Sequence, residues 1–503
     1  MIQKMHNSLS TTEQLLVESG DERIALDPLR GVNRYGCKPR PDPGLLDFAS
    51  ATASVISKDA FQAADHLRRR LENDLRHFSP ETVYTIELSN IRKELLALCE
   101  LGDLPKPDVI FAASGTDLHR ISAQLSQAVS AQPILAIMVD ERETGSGVYA
   151  AIAGTHPVIE VATVALRHAD GTPRTTQEID TEFTDLAHRA YAAGRHVLLI
   201  QADISKTGMI APSYECTATL QETLGSQLDV LIDACQFRMS PSTLRACLAR
   251  GYTVALTGSK FVGGPSFSGA LLIPAQTSAR YRQRPFLGRL ASDATATDWP
   301  NGWPMQGAQD VPSKFGLLLR WKAALFELRS FRALPDGDIA RFLQIFAKSI
   351  QERITNDRAF LPVPVTKLDR SALHAQSGWD EIQTIFPFQL CQLNPAGRRA
   401  LDAHEMRNVY LHLPTAVVRC QLGQPVNYGK GQHALRLCLS ARLIVQAVIN
   451  NGVYANSIIA QAQAALDQAA RLANPDSYSM PYPETITSDA ASSTVQHDHA
   501  AHG

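Results

Sequence analysis

The chain has 503 residues, enough for two domains with a sizeable core, and its 45% hydrophobic and 19% charged residues are ordinary for a soluble globular protein. A formal net charge of −2, with no basic stripe, speaks against nucleic acid or an anionic membrane as partner. Residues 1–8 lack the apolar core of a signal peptide, and no uncharged apolar run reaches the roughly 18 residues that span a bilayer, so the expected compartment is the cytoplasm.

Residues 1–45 are polar and punctuated by Gly31, Gly36, Pro39, Pro41 and Pro43, a pattern that predicts an extended arm of the kind that wraps a partner subunit. A short strand and turn follow at 45–54. Over 58–78, Phe61, Ala64, Leu67, Leu71 and Leu75 recur at three- and four-residue spacing, which predicts an amphipathic helix with Arg68, Arg69 and Arg70 on its wet face. The apolar run from Asp108 reads as a strand, and it ends in Ser114-Gly115-Thr116 before a helical pattern. Backbone N–H groups and two hydroxyls then meet at a helix start, which suits a phosphate dianion, although Ser-Gly-Thr-Asp is also an ordinary helix cap.

Residues 133–139 predict a buried strand running into Asp140-Glu-Arg-Glu-Thr144. A helical stretch at 182–193 precedes a strand from His196, which leads to Ser205-Lys-Thr-Gly208 and Pro212. Another apolar strand ends at Asp233. The run Gly251-Tyr-Thr-Val-Ala-Leu256 then leads to Thr257-Gly-Ser259-Lys260, followed by glycines and a proline that cannot continue a regular helix. A lysine with a fixed stem and a lowered pKa can form a Schiff base with a carbonyl, although a surface lysine in a glycine loop would fit the same letters. Helix and strand alternate across 134–273, which predicts an α/β sheet with sites at the carboxyl ends of its strands.

Beyond Pro274 the sequence is arginine-rich and loop-like to Trp303, and 307–312 introduces a long helical pattern over 317–328. The last third reads as a strand at 382–392, a turn at 394–397, a helix, the apolar stretch 409–413, and a strand at 433–440. In that strand Arg436 points away from the face of Leu435, Leu437 and Leu439. The expected division is therefore an arm at 1–45, a large domain at 46–312, a smaller one at 313–475 and a disordered tail at 476–503. Eight cysteines without a CxxC pair read as reduced core residues, and the histidines at 497, 499 and 502 are not taken as a metal site.

Asp233-Ala-Cys-Gln236, Thr257-Gly-Ser-Lys260 and Gly263-Gly-Pro-Ser-Phe-Ser-Gly269 resemble the fold-type I pyridoxal 5'-phosphate enzymes, in particular the class V aminotransferase and cysteine desulfurase group, over about residues 45–445. The resemblance implies a three-layer α/β sandwich with a mostly parallel sheet, plus a smaller α+β carboxyl-terminal domain. It implies a Schiff base on Lys260, Asp233 at the ring nitrogen, Ser114, Gly115 and Thr116 at the phosphate, and Gln236 with Ser205 near the phenolic oxygen. Thr257 and Ser259 would also border the cofactor, and Arg436 would grip the carboxylate of an amino acid substrate, unless it is an exposed strand arginine. The resemblance also implies a homodimer with active sites near the subunit interface.

Three positions depart from the group. Thr144 stands where the group has a ring-stacking histidine, with His156 as a substitute or a structural residue. Ser205 replaces an asparagine, and Ala308 lacks a hydroxyl that would reach the neighbouring subunit's cofactor, in a stretch that would otherwise be a plain linker.

Aminotransferase-type chemistry at the α-carbon is the expected activity. A C–S lyase or desulfurase is the alternative, but a desulfurase needs an accessible thiolate on a mobile loop, and Cys391, Cys420 and Cys438 do not lie in one. A β-eliminating lyase needs no such thiol. A non-catalytic binding subunit on the same scaffold is a further alternative, motivated by Thr144, Ser205 and Ala308 and opposed by Lys260 with Asp233.

Overall fold

The computed structural model describes residues 9–18, 20, 22–154, 159–283, 296–303, 314–373, 378–395 and 397–475. His156, the 307–312 stretch with Ala308, and the tail with its histidines lie outside the described residues.

The first strand, β1 (Leu46–Phe48), is followed by seven that share one sheet: β2 (Asp108–Ala112), β3 (Ile134–Val139), β4 (Ile159–Val164), β5 (His196–Ala202), β6 (Leu228–Ala234), β7 (Thr253–Thr257) and β8 (Gly269–Ile273). Their order is β2-β8-β7-β6-β5-β3-β4, with β8 alone antiparallel to its neighbours. Both faces of this sheet are buried, which explains why its strands read as continuous apolar runs. In β3, Leu135, Ile137 and Val139 enter one core while Ile134, Ala136 and Met138 enter the other. β2 divides in the same way, Val109 and Phe111 against Ile110 and Ala112. Helices cover the two faces, giving the expected three-layer α/β sandwich.

A second sheet holds β9 (Phe360–Pro362), β10 (Ile385–Asn394), β11 (Gly397–Ala400), β12 (Cys420–Gly429) and β13 (Gln432–Cys438), and β1 joins its edge parallel to β12. Leu46 pairs with Cys420, so residues just after the amino-terminal segment belong to the sheet built mostly by the last third of the chain. The helix Phe315–Arg332 makes the reverse crossing, with Leu317, Leu318, Trp321 and Leu325 packed into the core of the first sheet. The second core begins in earnest with the helix Asp336–Asn356, through Phe342, Leu343, Phe346 and Ile350. Residues 409–413, read as a separate apolar stretch, close the helix Ala403–His412 instead.

The amino-terminal segment, expected as an extended arm, is packed against its own chain. Thr11 and Gln14 form a capping box on the short helix Thr12–Leu16, and Leu15, Leu16, Ile24 and Cys37 are buried. Arg320 donates to the carbonyls of Leu16 and Glu18 and fixes the segment on the Phe315–Arg332 helix. The density of glycine and proline reflects local turns, which can be as ordered as a helix when apolar residues between them are buried. Among the described residues, no helix is long and apolar enough to cross a membrane, and no cluster of His, Cys, Asp and Glu could hold a metal ion.

Candidate active site

Six strands of the first sheet run the same way, and the loops leaving β2, β3, β5, β6 and β7 meet at one edge. Together with segments of the second sheet they enclose a cavity of about 530 Å³. Ser114, Gly115, Thr116, Thr144, Ser205, Asp233, Gln236, Thr257, Ser259, Lys260 and Arg436 all line it, so the cofactor and substrate residues expected from the sequence reach the same space, His156 and Ala308 lying outside the described residues.

The loop of Lys260 is held from several sides. Gly258 N–H donates to Ser268 O at 2.8 Å, Gly264 N–H to Gly258 O at 2.9 Å, and Gly263 N–H to Lys260 O at 3.0 Å. Ala441 N–H, at the start of a helix beside the second sheet, donates to Phe261 O at 2.7 Å. A Cβ on Gly258 or Gly264 would stand 2.6 Å from the Ala324 side chain, so glycine at both positions lets the Phe315–Arg332 helix press directly on this loop. The backbone that carries Lys260 is thereby fixed to both halves of the fold.

Asp233, the penultimate residue of β6, keeps its side chain 13% exposed, toward the cavity. Its Oδ1 accepts from Cys235 N–H at 3.2 Å, and Thr144 Oγ1 donates to its Oδ2 at 3.2 Å. His119 Nε2 lies 3.3 Å from the same Oδ2, a contact of charge without aligned hydrogen-bond geometry, since Nε2 has no hydrogen-bond partner. His119 Nδ1 is 2.7 Å from Gly115 O. Burial opposes the charge on both groups. Each nevertheless holds the other ionised: His119 keeps the Asp233 carboxyl below the usual carboxylate range, and Asp233 raises His119 above an ordinary imidazole.

Ser114 caps the helix Gly115–Val129 in a capping box with Asp117, so the cap reading of this motif is realised. The N–H groups of Gly115 and Thr116 remain as first-turn donors at the positive end of the helix dipole. A Cβ on Gly115 would lie 2.7 Å from Cys235 Sγ, which shows how closely the helix start approaches the β6 loop. Arg23 comes from the amino-terminal segment: its Nη2 donates to Ser114 Oγ at 3.3 Å and its guanidinium lies over the Phe267 ring at 5.2 Å. It brings a positive charge to the same anion-receptive turn.

Other hydroxyls are engaged within the protein. Ser205 Oγ donates to Glu143 Oε2 at 2.7 Å, and Thr257 Oγ1 donates to Cys235 O at 2.6 Å. Glu143 also accepts from Arg167 Nε at 3.0 Å and from Thr207, a fully buried network that shapes the cavity wall. Gln236 Nε2 donates to Ala51 O at 3.0 Å, and Arg238 ties Gln236 to Ser50, Thr384 and Leu439 of the other half. Ile204, Phe237 and Phe267, each beside a cavity residue, have φ of 68°, 53° and 72°. Left-handed backbone is unusual for such side chains and is tolerated where the surroundings over-determine it.

Arg436, 3% exposed, reaches the cavity from β13. It donates to Lys206 O at 3.1 Å, Thr52 Oγ1 at 2.9 Å and Gln424 O at 3.0 Å, while its Nε has no partner. Burial lowers its pKa, as expected of a guanidinium without a carboxylate beside it. Gly423, its register partner on β12, makes room: a Cβ there would stand 3.1 Å from Arg436 Cβ and Nε.

His119 and Arg23 were not anticipated from the sequence. The only local signal for His119 is its place four residues after Gly115, on the same face of the helix, and nothing around Arg23 marks it.

No protein-family model and no curated protein matches the sequence. Among solved structures, a NifS-like protein superposes with a TM-score of 0.50 at 12% identity, covering 84% of this chain and 99% of that one. Mouse CSAD, solved also in an apo form, superposes with a TM-score of 0.50 at 15% identity, covering 86% of this chain and 84% of that one. At such identities the likeness is one of fold.

Proposed function

We propose that the chain is a pyridoxal 5'-phosphate-dependent enzyme acting at the α-carbon of an amino acid, with aminotransferase-type chemistry. The observation that carries this reading is the convergence of Lys260, Asp233, the Ser114–Thr116 turn and Arg436 on one cavity from separate parts of the chain. Their chemistry fits the group. Lys260 is the amine for the aldehyde, the ionised Asp233 suits a protonated ring nitrogen, and the Gly115 and Thr116 N–H groups with Arg23 suit the phosphate. When bound, the cofactor supplies an electrophilic aldehyde and a sink for electrons released at the α-carbon.

Asp233 would hold a proton on the pyridine nitrogen, and His119 behind it keeps the carboxylate charged. Arg436 orients the substrate by its carboxylate, for which a buried guanidinium with an unpartnered Nε–H is well suited. Thr144 titrates nowhere near neutrality, so moving the proton at the α-carbon falls to Lys260. A thiol-dependent desulfurase is disfavoured: all eight cysteines are buried, and burial raises the pKa of each, Cys235 in the cavity wall included. A homodimer with active sites near the interface belongs to the same reading.

The test is the visible absorption spectrum before and after borohydride, with peptide mapping of the reduced adduct. A yellow protein whose adduct maps to Lys260 is the expected result. A colourless protein that takes up no pyridoxal phosphate would overturn the mechanism and leave a binding subunit on this scaffold. Gly115→Ala is expected to weaken cofactor binding about tenfold, since its methyl would stand 2.7 Å from Cys235 Sγ and push the first-turn N–H donors out of place for the phosphate. Equilibrium dialysis reads this directly, and unchanged affinity would show that the helix start does not hold the phosphate.

A further inference from the structure

Within the motif Ser205-Lys-Thr-Gly208, residue 206 is a lysine. Its charge stands at the wall of the cavity itself, since Lys206 lines it together with Arg436. The two cations are neighbours: Arg436 Nη1 donates to the carbonyl of Lys206 at 3.1 Å, and Lys206 Nζ donates to the carbonyl of Glu141 at 2.8 Å. Among the described residues, neither forms an ion pair. The buried acid nearest to hand, Glu143, is already occupied by Arg167, Ser205 and Thr207. Burial, and then the charge of Arg436, lower the pKa of Lys206 to about 8, and the opposing pull of Glu143 and Glu141 does not make up for them.

We propose that Lys206 and Arg436 form a two-cation subsite for a substrate with two acidic groups, a dicarboxylic amino acid or its sulfonate or phosphonate counterpart. Arg436 takes the α-carboxylate and Lys206 the distal acid. This assignment rests on the amino-acid reading of the cavity proposed above. A substrate with a neutral side chain would leave Lys206 and Arg436 as like charges with no ion pair between them, whereas a distal acid supplies an anion in contact and converts like-charge crowding into attraction.

The test is isothermal titration calorimetry of the full chain loaded with pyridoxal phosphate, comparing glutarate with valerate, and succinate with butyrate, pairs of equal carbon number that differ by one acid. The dicarboxylates are expected to bind about 10–100-fold more tightly than their partners, the range of one charge-assisted hydrogen bond. Lys206→Met is expected to abolish that preference while leaving the monocarboxylates unchanged, and Lys206→Arg to restore it. Equal affinities in the wild type would overturn the proposal. So would a Lys206→Met protein, folded by circular dichroism, in which both ligand classes weaken alike. The same titrations are run on the full chain without added cofactor, so a protein that takes up no pyridoxal phosphate sinks the cofactor reading alone, and the dicarboxylate preference is still decided.

Discussion

Asp233→Ala is expected to lower turnover by about a thousandfold while pyridoxal phosphate still binds through Lys260 and the helix start. Without the carboxylate the ring nitrogen would lack the acceptor that keeps its proton, and the cofactor would be a poorer sink for electrons; about 4 kcal/mol less transition-state stabilisation is about a thousandfold in rate. On the function proposed for this cavity, the loss would fall on the proton at the ring nitrogen, so the absorption spectrum should change along with the rate. A variant with ordinary turnover would remove Asp233 from the mechanism.

The same residue makes a prediction that needs no substrate. The pKa of His119 is raised in the folded chain, so its contribution to stability is complete below the unfolded value of about 6.5 and declines as pH rises through the folded value. Asp233 is depressed, so its contribution is present above about 3.9 and is lost as pH falls through the folded value. The pair therefore stabilises most between about pH 4 and 6.5. The difference in thermal midpoint between wild type and Asp233→Ala should be largest there and shrink toward alkaline pH. A difference that stays constant from about pH 5 to 9 would contradict the ion pair.

What the letters revealed and concealed follows from the range of the interactions. β3 and β6 were legible because burial on both faces makes a strand a continuous apolar run, and Lys260 because its small neighbours accommodate the close approach of Ala324. β12 was hidden: glycine and proline are poor strand formers, yet a register shift between Gly423 and Val426 carries the strand past Gly423 and Pro425, and Gly423 is small because Arg436 lies across it. The membership of β1 could not be read, since Leu46 finds Cys420 from the far end of the chain. For Ser205 and Thr257 the sequence indicated the cavity and missed the partner. A short hydroxyl takes the acceptor within reach, here Glu143 and the carbonyl of Cys235. His119 and Arg23 show the same limit, because each is meaningful only beside a residue that folding brings to it.

Asp203→Ala and Arg370→Met are each expected to cost about 3–5 kcal/mol of stability, the largest losses outside the cavity. Asp203 follows β5 in the first sheet and Arg370 lies on the segment between β9 and β10 of the second, so their contact fastens the two halves across the site edge. Arg370 grips the carboxylate with two donors, Nε at 3.0 Å and Nη2 at 2.6 Å, and both side chains are at most 2% exposed. Tyr214 donates its hydroxyl to the same carboxylate and Arg370 reaches the carbonyl of Asp380, so either single change leaves a buried charge without its counterpart. Burial opposes the charge on Arg370, but Asp203 raises its pKa above the ordinary value, so the guanidinium cannot escape by losing its proton. Replacing both, Asp203→Leu with Arg370→Met, is expected to recover most of the loss, because two apolar side chains of similar volume leave no unpaired charge. Urea midpoints of the two single variants and the double variant decide the matter. If the double variant is as unstable as the sum of the singles, the halves are held by packing at these positions and not by the pair.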